Sequence, residues 1–142
     1  MARGRWSGIP AACAIGVGIK YLLDSVILID HLNGVREATE YIKRFHKDCA
    51  VSVITRAEVL VPYEWEPAQP ILRLLDSFQT LTIEPVIADR AASLRREHRW
   101  KLPDAFQAAI AETHSLKFVT RNTKDFPPAK YPFVIEPYTI RQ

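Results

Sequence analysis

The sequence predicts an α/β domain in which a central parallel sheet of four to five strands is flanked by helices. Short apolar runs alternate along the chain with longer segments whose apolar residues recur at helical spacing. Short apolar strands of this kind are typical of a sheet covered on both faces. The chain has 142 residues, of which 48% are hydrophobic and 25% charged, as expected for one globular domain. This composition excludes a disordered tail, a collagen, a disulfide scaffold and a polytopic membrane protein.

The predicted elements follow from local patterns along the chain. Strands are predicted where apolar and β-branched residues cluster, as in AVSVI at 50–54, and helices where apolar residues recur every three to four positions. Gly34 and Pro67 mark helix ends, and Pro103 fits a first helical turn. In chain order we predict a strand at 20–24, helices at 25–33 and 35–47, a strand at 50–54, helices at 55–63 and 71–78, a strand at 81–83, helices at 88–101 and 103–113, and strands at 117–120 and 133–135.

The first residues differ from the rest of the chain. We expect residues 1–18 to be an N-terminal extension, either disordered or the product of a start codon assigned too far upstream, and residues 19–142 to form the domain. The extension resembles a poor signal peptide, but its apolar run is too short to span a bilayer. Cys13 and Cys49 have no CxxC partner, so we expect free thiols in a cytoplasmic protein that makes no membrane contact.

Acidic and amide side chains recur where the predicted strands end. Asp24 ends the first strand, Glu58 lies one helical turn after the second, and Asp104 opens the helix before the fourth. Asn122 and Asp125 follow the fourth strand directly. Because ligands of open parallel sheets bind at the carboxyl ends of the strands, we expect these five residues to converge at one edge.

Each member of this set also has a simpler interpretation. Asp24 or the serine after it would cap the next helix, and Thr55 with Glu58 matches a capping box. Asp104 would interact with the helix dipole, and the last two residues are ordinary turn formers. Together, however, clustered carboxylates repel one another, and a fold keeps them mainly when a cation neutralises them. Oxygen ligands favour Mg²⁺ or Mn²⁺, which would activate water and stabilise charge on a phosphodiester, with one ion or two left open.

Four stretches of the chain carry a family resemblance. They are YLLDSVILIDHL at 21–32, SVITRAEVL at 52–60, LPDAFQAA at 102–109 and FVTRNTKDF at 118–126. In this order they resemble the sequence blocks of PIN domains, specifically those of VapC-type toxins from bacterial and archaeal toxin–antitoxin pairs. The resemblance covers roughly residues 19–138.

The resemblance implies a PIN-like, flavodoxin-like sandwich and a Mg²⁺- or Mn²⁺-dependent endoribonuclease that cleaves RNA. It also implies neutralisation by a cognate antitoxin and a homodimer. The residues it assigns as metal ligands are Asp24, Glu58, Asp104 and Asn122. Asp125 would take part in catalysis by supporting the ion, and the hydroxyls of Ser25 and Thr120 would support the same rim.

Two positions depart from the family pattern. Where the family often has Asp-Thr-Asn, this chain has Asp24, Ser25 and Val26, and the fourth acidic position is Asn122. Asp30 fits the second aspartate of the opening block and is expected to lie behind the ligands. These departures leave open a catalytically weak or inactive PIN-like module that binds RNA or protein. A receiver domain or a haloacid-dehalogenase-like hydrolase is a weaker rival, because the paired acids or Asp-x-Asp they require are missing.

Two further surfaces are candidates for binding. The basic stretch before Asp104 offers Arg96, Arg99 and Lys101 to RNA phosphates, with Trp100 as a stacking surface. The alternative is a solvated helix face on which the tryptophan is partly buried. The second surface is an apolar groove that would receive an antitoxin segment, or else pack in the core, and it comprises Tyr63, Trp65, Ile71, Leu72 and Leu75.

Overall fold

The computed structural model describes residues 18–140, which form a five-stranded sheet and six α-helices. The predicted extension therefore lies outside the described residues except for its last residue. In chain order the elements are β1 (Tyr21–Leu23), α1 (Ser25–Leu32), α2 (Arg36–Phe45), a 3-10 turn (His46–Asp48), β2 (Cys49–Ser52), α3 (Val53–Leu60), α4 (Gln69–Asp76), β3 (Gln79–Leu81), α5 (Pro85–His98), α6 (Leu102–Thr113), β4 (Lys117–Val119) and β5 (Val134–Ile135).

All neighbouring strands are parallel, and their spatial order is β3-β2-β1-β4-β5. The chain therefore builds outward from β1 to β3 in one direction and then returns to place β4 on the other side of β1. Tyr21 of β1 pairs with Cys49 of β2 and with Lys117 of β4, so β1 is the central strand. The predicted parallel sheet with flanking helices is confirmed.

The sheet separates two apolar layers because successive side chains of a strand point to opposite faces. Leu22 of β1 and Phe118 of β4 pack under α5 and α6. Their neighbours Leu23 and Val119 pack on the opposite face, in the cluster that includes residues of α1 to α4. Both faces of the central strands are therefore buried at these positions, which explains why all four residues are apolar.

The inner face of helix α6 consists mainly of small residues. Ala105, Ala108, Ala109 and Ala111 are all buried, and alanine has both high helix propensity and little bulk. Helix α5 packs against this helix and buries Leu94. The close packing fixes the start of α6, where Asp104 lies, relative to the strand ends.

Several predicted boundaries are wrong by two or three residues. Helix α3 begins at Val53 because the Ser52 side chain accepts a hydrogen bond from the Thr55 backbone N–H at 3.1 Å, so Ser52 is the N-cap. The predicted Thr55–Glu58 capping box is therefore wrong. Helix α5 begins at Pro85 and ends at His98 rather than spanning 88–101, because proline is favourable in a first turn.

Asp30 of α1 binds both the residue after Thr120 and the C-terminal segment. The guanidinium of Arg121 donates two hydrogen bonds to Asp30, at 2.6 and 2.9 Å, and the Tyr138 hydroxyl donates a third at 2.9 Å. Asp30 is 6% exposed. This triad joins α1, the residues after β4 and the end of the described chain. It also supports the loop that carries Asn122.

Among residues 18–140, no helix is both long and apolar enough to cross a membrane.

Removal of the Asp30 charge is expected to destabilise the fold more than removal of the tyrosine hydroxyl. Asp30→Asn leaves the partly exposed Arg121 guanidinium without its counter-charge and removes charge-assisted hydrogen bonds, so we expect a loss of about 2 kcal/mol in the free energy of unfolding. Tyr138→Phe removes one hydrogen bond and should cost about 1 kcal/mol. Urea denaturation measures both values, and an Asp30→Asn variant as stable as the parent would contradict this role of the ion pair.

Candidate active site

The predicted site residues cluster where the strand order reverses, between β1 and β4. Asp24 follows β1, and Thr120 follows β4 on the neighbouring strand. The Thr120 hydroxyl donates to Asp24 Oδ2 at 2.7 Å, which joins the two strand ends directly. A reversal of strand order opens a crevice at the carboxyl edge of a sheet, where ligands of such folds bind.

Asp24 is a buried carboxylate that accepts several hydrogen bonds. It is 7% exposed and caps α1, since its side chain accepts from the Ser25 backbone N–H at 2.8 Å. Burial raises the pKa of Asp24 above its ordinary value, and hydrogen bonds from Thr120, Ser25 and Gln107 partly offset this. The capping role and the site role therefore coexist in one side chain.

Glu58 and Asp104 complete the acidic cluster. Burial raises the pKa of Asp104 to about 6, and the negative charges of Asp24, Asp125 and Glu58 add to the effect, while Lys101 opposes it. Burial also raises the pKa of Glu58, with a further contribution from Asp24, although a hydrogen bond from Ser25 lowers it. The carboxylates thus lie close enough to interact strongly, and repulsion opposes their full ionisation.

The residues after β4 form a tight turn that is bound to the same cluster. The Asn122 backbone N–H donates to Thr120 Oγ1 at 3.0 Å, and its side-chain amide donates to Asp125 Oδ2 at 3.0 Å. The Asp125 N–H in turn contacts Asn122 Oδ1 at 3.4 Å. The turn interpretation therefore holds, and the turn directs Asp125 toward Asp104, whose pKa it influences.

The donor set fits a hard divalent cation by its chemistry. Burial raises the pKa values of Asp24, Glu58 and Asp104, and neighbouring negative charge raises the last two further. A nearby positive ion would stabilise the ionised form of all three carboxylates. Across residues 18–140, no group of three or more His, Cys, Asp or Glu side chains is arranged to hold a metal ion as the side chains stand.

A basic surface lies beside the acidic cluster. An open depression of about 410 Å³ is lined by Arg95, Arg96, Arg99 and the edge of α6. A second depression of about 220 Å³ shares Arg99 and extends to Asp125, with Lys124 and Lys130 in its wall. Arg99 adopts a left-handed conformation, with φ of 61°, where the chain turns from α5 toward α6. The depression that contains Asp125 is therefore lined by Arg99, Lys124 and Lys130. The sequence did not predict the two lysines as part of the basic surface.

Trp100 does not offer a stacking surface, because it is only 4% exposed. Its ring stacks on His98 at 4.3 Å between centroids and packs against Phe126 at 4.6 Å. The indole N–H donates to the Asp125 carbonyl at 3.0 Å, and Arg95 donates to the Trp100 carbonyl at 2.6 Å. The predicted stacking role is therefore wrong, and the tryptophan instead binds the α5–α6 connection to the loop of Asp125.

The predicted apolar groove is divided by the structure. Trp65 is 73% exposed and Tyr63 is 36% exposed, whereas Ile71 and Leu75 are buried in the core. Leu72 lies between these extremes. Of the predicted groove, only Tyr63 and Trp65 in the segment after α3 are therefore exposed to solvent, and Val61 in the same segment is exposed as well.

Sequence reasoning missed Gln107 and Arg121. Both occur in the quoted blocks, but their roles depend on partners far away in sequence, such as Ser52 and Asp30. A polar residue on the inner face of an otherwise alanine-rich helix is the one available signal for Gln107.

The parallel order and the acidic crevice at the reversal define an α/β domain with a polyanionic site. A model of the PIN domain matches residues 21–128, and the chain belongs to the PIN domain family. It is 34% identical over 113 residues to "Ribonuclease VapC10" of Mycobacterium tuberculosis, a match that covers 75% of this chain and 85% of that protein.

Solved structures are similar as well. A chain of a toxin–antitoxin complex from Klebsiella pneumoniae superposes with a TM-score of 0.77 and 40% identity, covering 85% of this chain and all of that one. A chain of DNA-bound VapBC from Salmonella typhimurium gives a TM-score of 0.66 at 18% identity, covering 77% of this chain and 91% of that one. The second similarity shows the fold alone.

Burial of Asp104, together with repulsion from neighbouring carboxylates, should make the stability of the protein in EDTA depend on pH. The folded pKa is about 6 against an ordinary 3.8, so this residue's contribution to stability is lost as pH rises through that window. In EDTA, Asp104→Asn should therefore gain about 1 kcal/mol relative to the parent between about pH 4.5 and about pH 8, after discounting for solvent screening. Urea denaturation at both pH values measures the difference.

The matched control is Asp89→Asn, which neutralises an exposed aspartate on α5. Its stability relative to the parent should not change with pH in this way. An Asp104→Asn difference that stays constant across the range would contradict the repulsion.

Proposed function

We propose that this chain is a divalent-metal-dependent endoribonuclease and the toxin of a toxin–antitoxin pair. The observation that carries the proposal is the set of three carboxylates with raised pKa values at the strand-order reversal. Similarity over 113 residues to a ribonuclease named VapC10 supports the same activity, and the PIN domain match at residues 21–128 contains all four sequence blocks.

In this proposal Asp24, Glu58 and Asp104 hold Mg²⁺ or Mn²⁺, with the Asn122 carbonyl as a neutral fourth ligand. The metal, when bound, activates water and stabilises charge on the phosphodiester. Thr120 holds the Asp24 carboxylate in place by its 2.7 Å hydrogen bond. Asp125 remains near Asp104 through the hydrogen bond from Asn122 and the contact of Trp100 with its carbonyl.

RNA is proposed to approach over the basic surface. Arg96 and Arg99 line the larger depression, and Arg99 also lines the depression that contains Asp125. Phosphates in this position would be attracted to the arginines and adjacent to the acidic cluster. Lys101, which lowers the pKa of Asp104 by its charge, adds a third cation near the junction.

We further propose that a cognate antitoxin neutralises the protein, that the toxin acts in the cytoplasm without membrane contact, and that it forms a homodimer. Similarity to a chain of a Klebsiella toxin–antitoxin complex supports the antitoxin. The exposed apolar side chains of Tyr63 and Trp65 are the surface that an antitoxin segment would cover.

A catalytically weak or inactive module that binds RNA or protein is the second candidate. Val26 in place of a polar residue and the neutral Asn122 favour it. The two candidates differ in whether RNA is cut.

Cleavage of total cellular RNA in the presence of Mn²⁺ tests the proposal. We expect fragments with Mn²⁺, none with EDTA, and a rate at least about 100-fold lower for Asp104→Asn, since that variant loses a charged ligand. Asp89→Asn should cleave like the parent. Cleavage that survives EDTA would refute the metal mechanism, and Mn²⁺ binding without any cleavage would favour the inactive module.

The basic surface is tested by the salt dependence of RNA binding in an Asp104→Asn background with EDTA, where no cleavage occurs. Arg96→Ala with Arg99→Ala should reduce the slope of log affinity against log salt concentration by roughly 1.4, since each single-strand phosphate contact contributes about 0.7. Lys43→Ala with Arg73→Ala removes two exposed charges from α2 and α4 and should leave the slope nearly unchanged. An unchanged slope in the first pair would locate the RNA path elsewhere.

A further inference from the structure

Gln107 is a fully buried polar side chain on α6, one turn after Asp104. It is 1% exposed, and its neighbours Ala105, Ala108 and Ala109 are apolar and buried. A buried amide has two donors and an acceptor that must find partners, and leaving them unpaired is costly. A core leucine or isoleucine would need no such partners, so the presence of a glutamine at this position has to be explained by its hydrogen bonds.

The partners of Gln107 come from two other elements. The Ser52 hydroxyl donates to Gln107 Oε1 at 2.7 Å, and Gln107 Nε2 donates to Thr55 Oγ1 at 2.8 Å. The Thr55 hydroxyl donates in turn to the Leu23 carbonyl at 3.2 Å, and the Thr55 N–H donates to Ser52 Oγ at 3.1 Å. All four residues are buried, so this network is closed to water.

The network determines which way the amide points. Because the Thr55 hydroxyl gives its only hydrogen to Leu23, it must accept from Gln107, and the NH₂ end therefore lies on the Thr55 side. The Gln107 side chain also lies close enough to the Asp24 carboxylate to lower its pKa. A reversed amide would turn its oxygen toward the Thr55 hydroxyl and leave the Leu23 carbonyl without this donor.

The network joins the three elements that carry the acidic cluster. Asp24 follows Leu23 at the end of β1, Glu58 lies one turn after Thr55 on α3, and Asp104 lies one turn before Gln107 on α6. A displacement of either helix would therefore break a buried hydrogen bond. Partners of this kind, which orient ligands without touching the metal, strongly affect metal affinity.

We propose that Gln107 is a positioning residue of the acidic cluster, whose amide joins α6 to α3 and to the end of β1 beside Asp24, so that Glu58 and Asp104 face the same cation. This inference rests on the metal site of the proposed function. It assigns the role to a side chain that does not itself ligate.

The test is a titration of the full chain with Mn²⁺ alone, in which calorimetry measures the affinity. Gln107→Met keeps the length and volume of the side chain but removes its hydrogen bonds, and it should weaken Mn²⁺ binding about 10-fold or more. Thr55→Val removes the hydroxyl that orients the amide and should weaken binding in the same direction. The double variant should bind scarcely more weakly than Gln107→Met, because both changes break one network.

Ile110→Val is the matched control, since it trims a buried side chain of the same helix. It should lower the melting temperature in EDTA without changing the Mn²⁺ affinity. A positioning role also predicts that excess Mn²⁺ restores RNA cleavage by Gln107→Met at temperatures well below the melting temperature of the variant in EDTA, where unfolding does not account for the lost activity.

The outcomes separate the two proposals. Parent-like Mn²⁺ affinity in both Gln107→Met and Thr55→Val would overturn the positioning role while leaving the metal site intact. Additive weakening in the double variant would also overturn it. Failure of the parent protein to bind Mn²⁺ would refute the metal site and the inference together. Where Gln107→Met does not fold, the affinity of Thr55→Val decides.

Discussion

The hydrogen bond from Thr120 to Asp24 is the interaction on which the site depends. It spans the two central strands at the one place where the strand order reverses. A carboxylate buried at this position is unfavourable in its ionised form, and burial accordingly raises its pKa. That loss of solvation is partly compensated by the Thr120 hydroxyl, the Ser25 backbone and the Gln107 amide. The Asp24 carboxylate therefore also holds the two strand ends together.

The rest of the structure limits the motion of the groups around Asp24. On one side, the Asp30–Arg121 ion pair fixes the residues directly after Thr120. On the other, Trp100 binds the Asp125 carbonyl and packs against Phe126. These contacts position a cluster whose members repel one another. Repulsion within the acidic cluster lowers the stability of the fold, and the contacts behind the cluster compensate for that loss.

The sequence allowed the parallel sheet and the acidic cluster to be predicted, for two different physical reasons. Strands buried on both faces are apolar throughout, so KFVT and AVSVI were recognisable alone. The site followed from topology, since parallel strands bring their carboxyl ends together. Gln107, Arg121 and the burial of Trp100 were not accessible in this way, because each depends on contacts with residues 25 to 91 positions away.

The mild net charge of +3 averages over two opposed surfaces that lie side by side. Arg99 and Lys124 line the same depression as Asp125, so the basic and acidic regions meet within this depression. Without a cation, a polyanion attracted by the arginines would be repelled by the carboxylates beside them. A divalent ion would remove that repulsion and extend the positive surface into the crevice. The same arrangement would therefore make phosphate approach depend on metal binding, which couples recognition to the chemistry proposed here.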